Sequence, residues 1–292
     1  MLGKLIKHDF KALGRTLLPL QVGTLIIGIM ASLFLTIAVR YVYNESSLGY
    51  GNDQLTSLLV SVALLCFALF ATILVASFFV TLFLVARHFY ANLMGDEGYL
   101  TFTLPVTTNQ IILGKTISGF CWMLINTIVI GIAFVIMLIF GAAYEGVINL
   151  DVLEVLGGFL KEVFSEPSGV LFIVMLPLTI LTSILNSLLL VYVAIAVGGV
   201  FAVKHKVVAA VGAYFVISMV TGALNSVIGM LISATTALGF LDNIFLLGIY
   251  DLGGLFFSMN LTLIVNIVIA IATAAAYYAA THYLLSNRLN LE

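Results

Sequence analysis

Charged residues divide the chain into long apolar stretches. Six of these contain no Asp, Glu, Lys or Arg: 16–39, 54–86, 116–144, 167–203, 207–241 and 252–287. A helix that crosses a bilayer needs about 20 apolar residues, so each stretch can hold one crossing and none comfortably holds two with a turn. The pattern predicts an all-α polytopic membrane protein with spans near 17–39, 57–86, 116–140, 170–200, 207–233 and 260–284.

The first fifteen residues show a helical pattern of their own. Apolar side chains recur at i, i+3 and i+4 on one side, and basic side chains collect on the other: Leu2, Leu5, Ile6, Phe10, Leu13 and Leu17 against Lys4, Lys7, Lys11 and Arg15. This predicts an N-terminal amphipathic helix over 1–15 that lies on the membrane surface before the chain turns into the first span near Pro19. A frayed basic tail is the alternative.

The stretch 233–258 is apolar but carries scattered Gly together with Asp242 and Asp251. It looks too broken for a clean span. We interpret it as one or two short re-entrant or interfacial helices packed on protein, because irregular backbone is not tolerated against lipid.

Composition supports a membrane protein and narrows its function. The 292 residues are 63% hydrophobic and only 8% charged, whereas soluble domains are about 25% charged. The formal net charge of −2 leaves no basic surplus to neutralise phosphates, which argues against nucleic-acid binding. We expect a single transmembrane domain over 1–292 that contacts membrane lipid.

The basic residues also predict an orientation. With the N-terminus in the cytoplasm, nine of them lie inside, namely Lys4, Lys7, Lys11, Arg15, Arg87, Lys115, Lys204, Lys206 and Arg288, and only Arg40 and Lys161 lie outside. Positive residues favour the cytoplasmic side, so both termini are predicted to be cytoplasmic.

The spans lack the groups that several function classes require. Carriers driven by ions usually keep an ionisable side chain at mid-membrane depth, and no stretch contains Asp, Glu, Lys or Arg. Paired acids and an HExxH motif are also missing, which argues against an intramembrane protease. The run from Asn109 to Thr116 ends like a phosphate-binding loop, but Asn109 replaces its first glycine and no strand precedes it. We therefore predict no catalytic residue, no metal site and no cofactor in this chain.

One cytoplasmic connection, 87–115, is unusually apolar for a loop in water. Within it, Asp96 and Glu97 could begin a short helix that Pro105 would end, and Thr107 with Gln110 forms a capping box for the next helix. The side chains of Tyr99, Leu100, Phe102 and Leu104 would then face the cytosol and need a partner. The alternative is that they fold back on the membrane interface.

The run from Asp96 to Val106, DEGYLTFTLPV, followed by Gln110, Ile111 and Lys115, resembles the cytoplasmic loop of ABC-2 type exporter permeases from Gram-positive bacteria. The layout of a surface helix, six spans and a loop helix after span two is similar as well. The resemblance implies that this loop is a coupling helix, which docks on a separate ATP-binding-cassette subunit holding ATP and Mg. It assigns the docking contacts to Asp96, Glu97, Tyr99, Leu100 and Phe102.

The same resemblance implies a permease in the bacterial cell membrane that works with a second permease chain, the same or related. The path between the two chains would carry amphipathic or hydrophobic cargo outward, such as a peptide, lipid or drug. Phe78, Phe79, Met219 and Asn225 are candidate lining residues, chosen by the spans to which they belong. Two other hypotheses stay open: an ATP-independent carrier or channel, and a non-transporting scaffold such as an immunity subunit.

Overall fold

The computed structural model describes residues 2–47, 53–95, 106–144, 157–158, 161, 163–202, 205–247 and 252–287. Six long helices account for nearly all of them: α1 Leu2–Ser47, α2 Asp53–Met94, α3 Thr108–Tyr144, α4 Pro167–Phe201, α5 Lys206–Leu247 and α6 Leu252–Asn287. Each contains a stretch long and apolar enough to cross a membrane. The prediction of an all-α polytopic protein with six spans is confirmed.

Continuous helices suit these sequences because a helix satisfies its backbone hydrogen bonds internally, as lipid requires. Most helices extend well beyond the predicted spans. α2 runs to Met94 and α3 begins at Thr108, so the ends of the predicted loop 87–115 are helical.

The predicted turn near Pro19 is absent, because α1 continues through that proline without a break. Proline removes one backbone hydrogen bond, but the helix before it is packed against neighbouring residues. Leu17 is completely buried, and the ring of Phe10 stacks on that of Trp122 with centroids 4.9 Å apart. Residues 2–15 are helical as predicted and are continuous with the rest of α1, and part of their apolar side covers α3; their place at the membrane surface stays a prediction.

The prediction of separate short helices over 233–258 is wrong where the structure describes this segment, because α5 continues to Leu247 and α6 begins at Leu252. Residues 248–251 lie outside the described part of the chain. The scattered glycines do not interrupt α5, because each glycine lowers helix stability by only about 1 kcal/mol and a break would expose backbone groups to lipid.

The chain forms two compact units. Unit 1 contains residues 1–7, 86–120 and 159–292, and unit 2 contains 8–85 and 121–158. In unit 1, α4 packs extensively against both α6 and α5. The Thr273 hydroxyl of α6 donates to Asn186 Oδ1 of α4 over 3.1 Å, and Asn260 Nδ2 donates to the carbonyl of Ser168 over 2.6 Å.

Unit 2 is a bundle formed by parts of α1, α2 and α3. Its apolar core contains Phe70 and Leu74 of α2 with Ala133 and Met137 of α3, and Leu25 of α1 packs against them. Glycine at position 28 allows the helices to approach closely, because a Cβ there would lie 3.1 Å from Cβ of Ala133, a tighter contact than usual.

Candidate functional site

The loop that carries the predicted docking residues lies between α2 and α3. Residues 96–105 are outside the described part of the chain, and with them Asp96, Glu97, Tyr99, Leu100 and Phe102. The docking assignment therefore stays a prediction. The structure does describe both segments from which the loop departs, 86–95 and 106–120, together with their neighbours in unit 1. We call these two segments the loop base.

The α2 side of the loop base is firmly packed. Phe89 and Leu93 are completely buried, and Met94 is nearly so. The Met94 sulfur lies against Gly199 of α4, where a Cβ would approach it to 2.5 Å. The backbone N–H of Gly95 donates to the carbonyl of Tyr90 over 3.2 Å and closes the last turn. The chain thus leaves α2 from a fixed point.

The α3 side begins with the predicted capping box, which is confirmed. The backbone N–H of Gln110 donates to Thr107 Oγ1, and the backbone N–H of Thr107 donates to Gln110 Oε1, each over 3.4 Å. Both bonds are long, so each is weak. Ile111 and Ile112 follow directly and are fully buried, so this first turn is held by packing as much as by its cap.

An aromatic contact joins the two sides of the loop base to α4. The rings of Phe89 and Tyr192 stack with centroids 3.9 Å apart and an angle of 12° between their planes. The Tyr192 hydroxyl donates to the backbone carbonyl of Lys115 over 3.1 Å. Phe89, Tyr192 and Lys115 are all at most 3% exposed, and they connect α2, α4 and α3. We call these three residues the Phe89–Tyr192–Lys115 link.

A further contact reaches the loop base from α6. The Tyr278 hydroxyl donates to Asn109 Oδ1 in the first turn of α3. Because α6 also bonds to α4 through Thr273, the first turn of α3 is connected to the same packed body as the Phe89–Tyr192–Lys115 link.

The loop base connects both ends of the loop to the same packed helices. Both ends of the loop emerge from one packed body, so a partner that pulls or pushes the loop acts on α2, α3 and α4 together.

Comparison with protein-family models, with characterised proteins and with solved structures finds no match to this chain.

The predicted cargo-path residues lie on two helices. Phe78 is half-buried and Phe79 is 57% exposed; their rings meet edge to face on α2, with centroids 5.9 Å apart. Met219 is 73% exposed on α5, and Asn225 on the same helix is exposed as well. The lining role of these four residues stays a prediction.

Sequence reasoning missed the Phe89–Tyr192–Lys115 link. Lys115 is predicted to be a cytoplasmic charge and is part of the loop resemblance, but its side chain is buried, with 3% exposed. Tyr192 lies in the last third of the charge-free stretch 167–203, where its hydroxyl needs a partner once it is buried, and that signal was available. The uncharged amides of Gln21, Asn126 and Asn186 also lie in charge-free stretches, where a buried amide likewise needs a partner.

Proposed function

We propose that this chain is the membrane-spanning permease subunit of an ATP-driven exporter, energised by a separate ATP-binding-cassette subunit that docks on the loop 96–105. The observation that supports this most is the loop base. The apolar loop begins and ends on a body in which Phe89 stacks on Tyr192 and Tyr192 bonds to Lys115. A loop anchored in this way can pass the movement of a docked partner to three helices at once.

The chemistry of the spans supports an external energy source. The six apolar stretches contain no Asp, Glu, Lys or Arg, so these stretches offer no charged group through which an ion gradient would act. The ATPase subunit would bind ATP and Mg and would perform the hydrolysis, and this chain would be its non-catalytic partner. Nucleotide binding would then favour one arrangement of the helices through contacts that differ between the two states.

The exposed surface of α5 supports a second permease chain. Only 6% of the most apolar 18-residue segment of α5 is buried, against 44% of the corresponding segment of α4. Asn225 is exposed in this helix, and a Cβ at Gly222 or Gly229 would have no neighbour within 4 Å among the described residues. An amide and small residues on an exposed membrane helix are typical of helix–helix contacts between chains. Cargo would pass between the two chains, and the apolar side chains there suit amphipathic or hydrophobic molecules.

The proposed location is the bacterial cell membrane, with both termini in the cytoplasm. This orientation follows from the basic residues and puts the loop 96–105 on the side where ATP is available.

The first test is copurification. We would express the chain with the ATP-binding-cassette ATPase encoded beside it, purify through a tag on the chain, and measure the bound ATPase and its ATP hydrolysis. The variant is Tyr99→Ala/Phe102→Ala. The matched control is Phe201→Ala, because Phe201 is 77% exposed at the end of α4 and lies outside the loop.

The proposal expects the ATPase with the wild type and with the Phe201→Ala control, and loss of binding or of stimulated hydrolysis in the double variant. If no ATPase copurifies with the wild type, the exporter assignment fails and an ATP-independent carrier becomes the leading hypothesis. If the double variant binds and hydrolyses like the wild type, the docking residues are wrong.

A further inference from the structure

Among the described residues of unit 2, three uncharged polar side chains are buried without hydrogen-bond partners. Gln21 of α1 is 5% exposed, and Thr81 of α2 and Asn126 of α3 are completely buried. All three lie in helices that are long and apolar enough to cross a membrane. Both amide atoms of Gln21, both amide atoms of Asn126 and the Thr81 hydroxyl oxygen have no hydrogen-bond partner in the part of the chain that the structure describes. An unsatisfied polar group costs several kcal/mol in a hydrocarbon environment. A bound ligand that forms hydrogen bonds with these atoms would remove that cost.

Helix geometry directs Gln21 toward α3. Gly14 and Gly28 of α1 both approach α3 closely: a Cβ at Gly14 would lie 2.9 Å from the ring of Trp122, and one at Gly28 would lie 3.1 Å from Ala133. Gln21 is seven residues from each glycine, which is almost two full helical turns. It therefore lies on the same face of α1, midway between the two contacts.

Asn126 occupies the matching position on α3. It follows Trp122 by four residues and precedes Ala133 by seven, so it shares their face of the helix. Along the helix axis, Asn126 lies between Trp122 and Ala133, and Gln21 lies between the two glycines that contact those residues. The two amides thus fall on facing sides of α1 and α3 at a similar level.

α2 brings hydroxyl groups to the same region. It runs opposite to α1, because the five residues 48–52 between them are too few to return along the length of a helix. Phe70 of α2 lies beside Gly28, so Ser77, seven residues further, lies at the level of Gln21, and Thr81 lies one turn beyond. The Ser77 hydroxyl donates to the carbonyl of Leu74 over 2.9 Å, which leaves its oxygen able to accept.

The donors and acceptors decide what this region can bind. Each amide carries two N–H donors and an acceptor oxygen, and each hydroxyl both donates and accepts. A cation would satisfy only the oxygens and an anion only the N–H groups. A direct pair of bonds between the two amides would leave one N–H of each, and the Thr81 hydroxyl, without a partner. Water both donates and accepts, and a buried water usually makes about three such bonds.

We propose that Gln21, Thr81 and Asn126, with the neighbouring oxygen of Ser77, form an internal hydration site that binds water between α1, α2 and α3 within the membrane-crossing part of unit 2. Water bonded to side chains of all three helices links them where lipid offers no hydrogen bond. This inference is independent of the proposed transport function, because it depends only on the packing and chemistry of unit 2.

Two methionines of α3 provide a matched probe. Met123 is completely buried and lies three residues from Asn126, whereas Met137 is 8% exposed and belongs to the apolar core with Phe70 and Leu74. X-ray radiolysis converts a bound water into hydroxyl radical at its own position, and methionine sulfur nearby is oxidised to the sulfoxide. Radicals from bulk solvent would favour Met137, which is the more exposed of the two.

The experiment exposes the full chain in lipid nanodiscs to millisecond X-ray pulses and measures both oxidation rates by peptide mass spectrometry. We expect Met123 to oxidise at least about threefold faster than Met137 in the wild type, because bound water lies beside it. In Gln21→Leu/Asn126→Leu the Met123 rate should fall to that of Met137. If this variant does not stay monodisperse, Asn126→Leu alone is used with the same criterion.

Two results would overturn the proposal. The first is a wild-type Met123 that oxidises no faster than Met137, which would mean that the region is dry; this comparison needs no variant. The second is an unchanged Met123 rate in a folded variant, which would mean that the amides do not hold the water.

Discussion

Truncation of Phe89 to alanine should weaken unit 1 more than any change at an exposed aromatic position. The Phe89 side chain is completely buried and its ring lies 3.9 Å from that of Tyr192, centroid to centroid. In a membrane, the surface lost from the core is transferred to lipid and not to water, so the usual hydrophobic transfer term largely disappears. What remains is the cavity and the lost ring contact.

The cavity term sets the magnitude. At about 24 cal/mol per Å³, the roughly 100 Å³ that separate phenylalanine from alanine correspond to about 2 kcal/mol. Loss of the stacked pair adds about 0.5–1.5 kcal/mol. We therefore expect Phe89→Ala to lower the free energy of unfolding by about 2–4 kcal/mol. The control Phe201→Ala, at a side chain that is 77% exposed, should change it by less than about 0.5 kcal/mol.

The measurement is reversible unfolding of the purified chain in mixed micelles, followed by far-UV circular dichroism. Tyr192→Phe belongs in the same series, because it keeps the ring and removes only the hydroxyl that donates to Lys115. This substitution should lower the free energy of unfolding by about 0.6 kcal/mol, the usual value for one hydrogen bond between membrane helices. Equal effects of Phe89→Ala and Phe201→Ala would refute the packing argument.

Three further predictions concern other parts of the chain. Gly198→Ala should sharply lower the yield of folded protein, because its Cβ would overlap the backbone of α5, whereas Gly212→Ala should not lower the yield, because no described atom lies within 4 Å of its Cβ; equal yields in size-exclusion chromatography would contradict this. Thr273→Val removes the hydrogen bond that joins α6 to α4 and should cost about 0.6 kcal/mol, at most about 1.7, in the same unfolding assay; a stabilised variant would count against the bond. In intact cells and a background without Cys66 and Cys121, Ser165→Cys should react with a membrane-impermeant maleimide and Ser286→Cys should not; the reverse pattern would invert the proposed orientation.

Only part of the loop base could be predicted from the sequence. The capping box of Thr107 and Gln110 was predicted and is present, because it depends only on residue types at a spacing of three along one helix. The contact between Phe89 and Tyr192 joins residues that are 103 positions apart. No local pattern specifies which face of α4 meets which face of α2, so this part of the site could not be predicted.

Six spanning helices follow from the sequence alone, because a bilayer imposes a fixed length of apolar residues and a fully hydrogen-bonded backbone on any segment that crosses it. The same local signals misjudged Pro19 and the segment 233–258, where packing and the demands of lipid outweigh a helix-breaking residue. Only the tertiary structure decided which side chains meet inside the units. It buried Lys115, whose carbonyl accepts a hydrogen bond from Tyr192, and it buried Gln21 and Asn126, because burial and contacts of this kind depend on the rotation and depth of helices that are far apart in the chain.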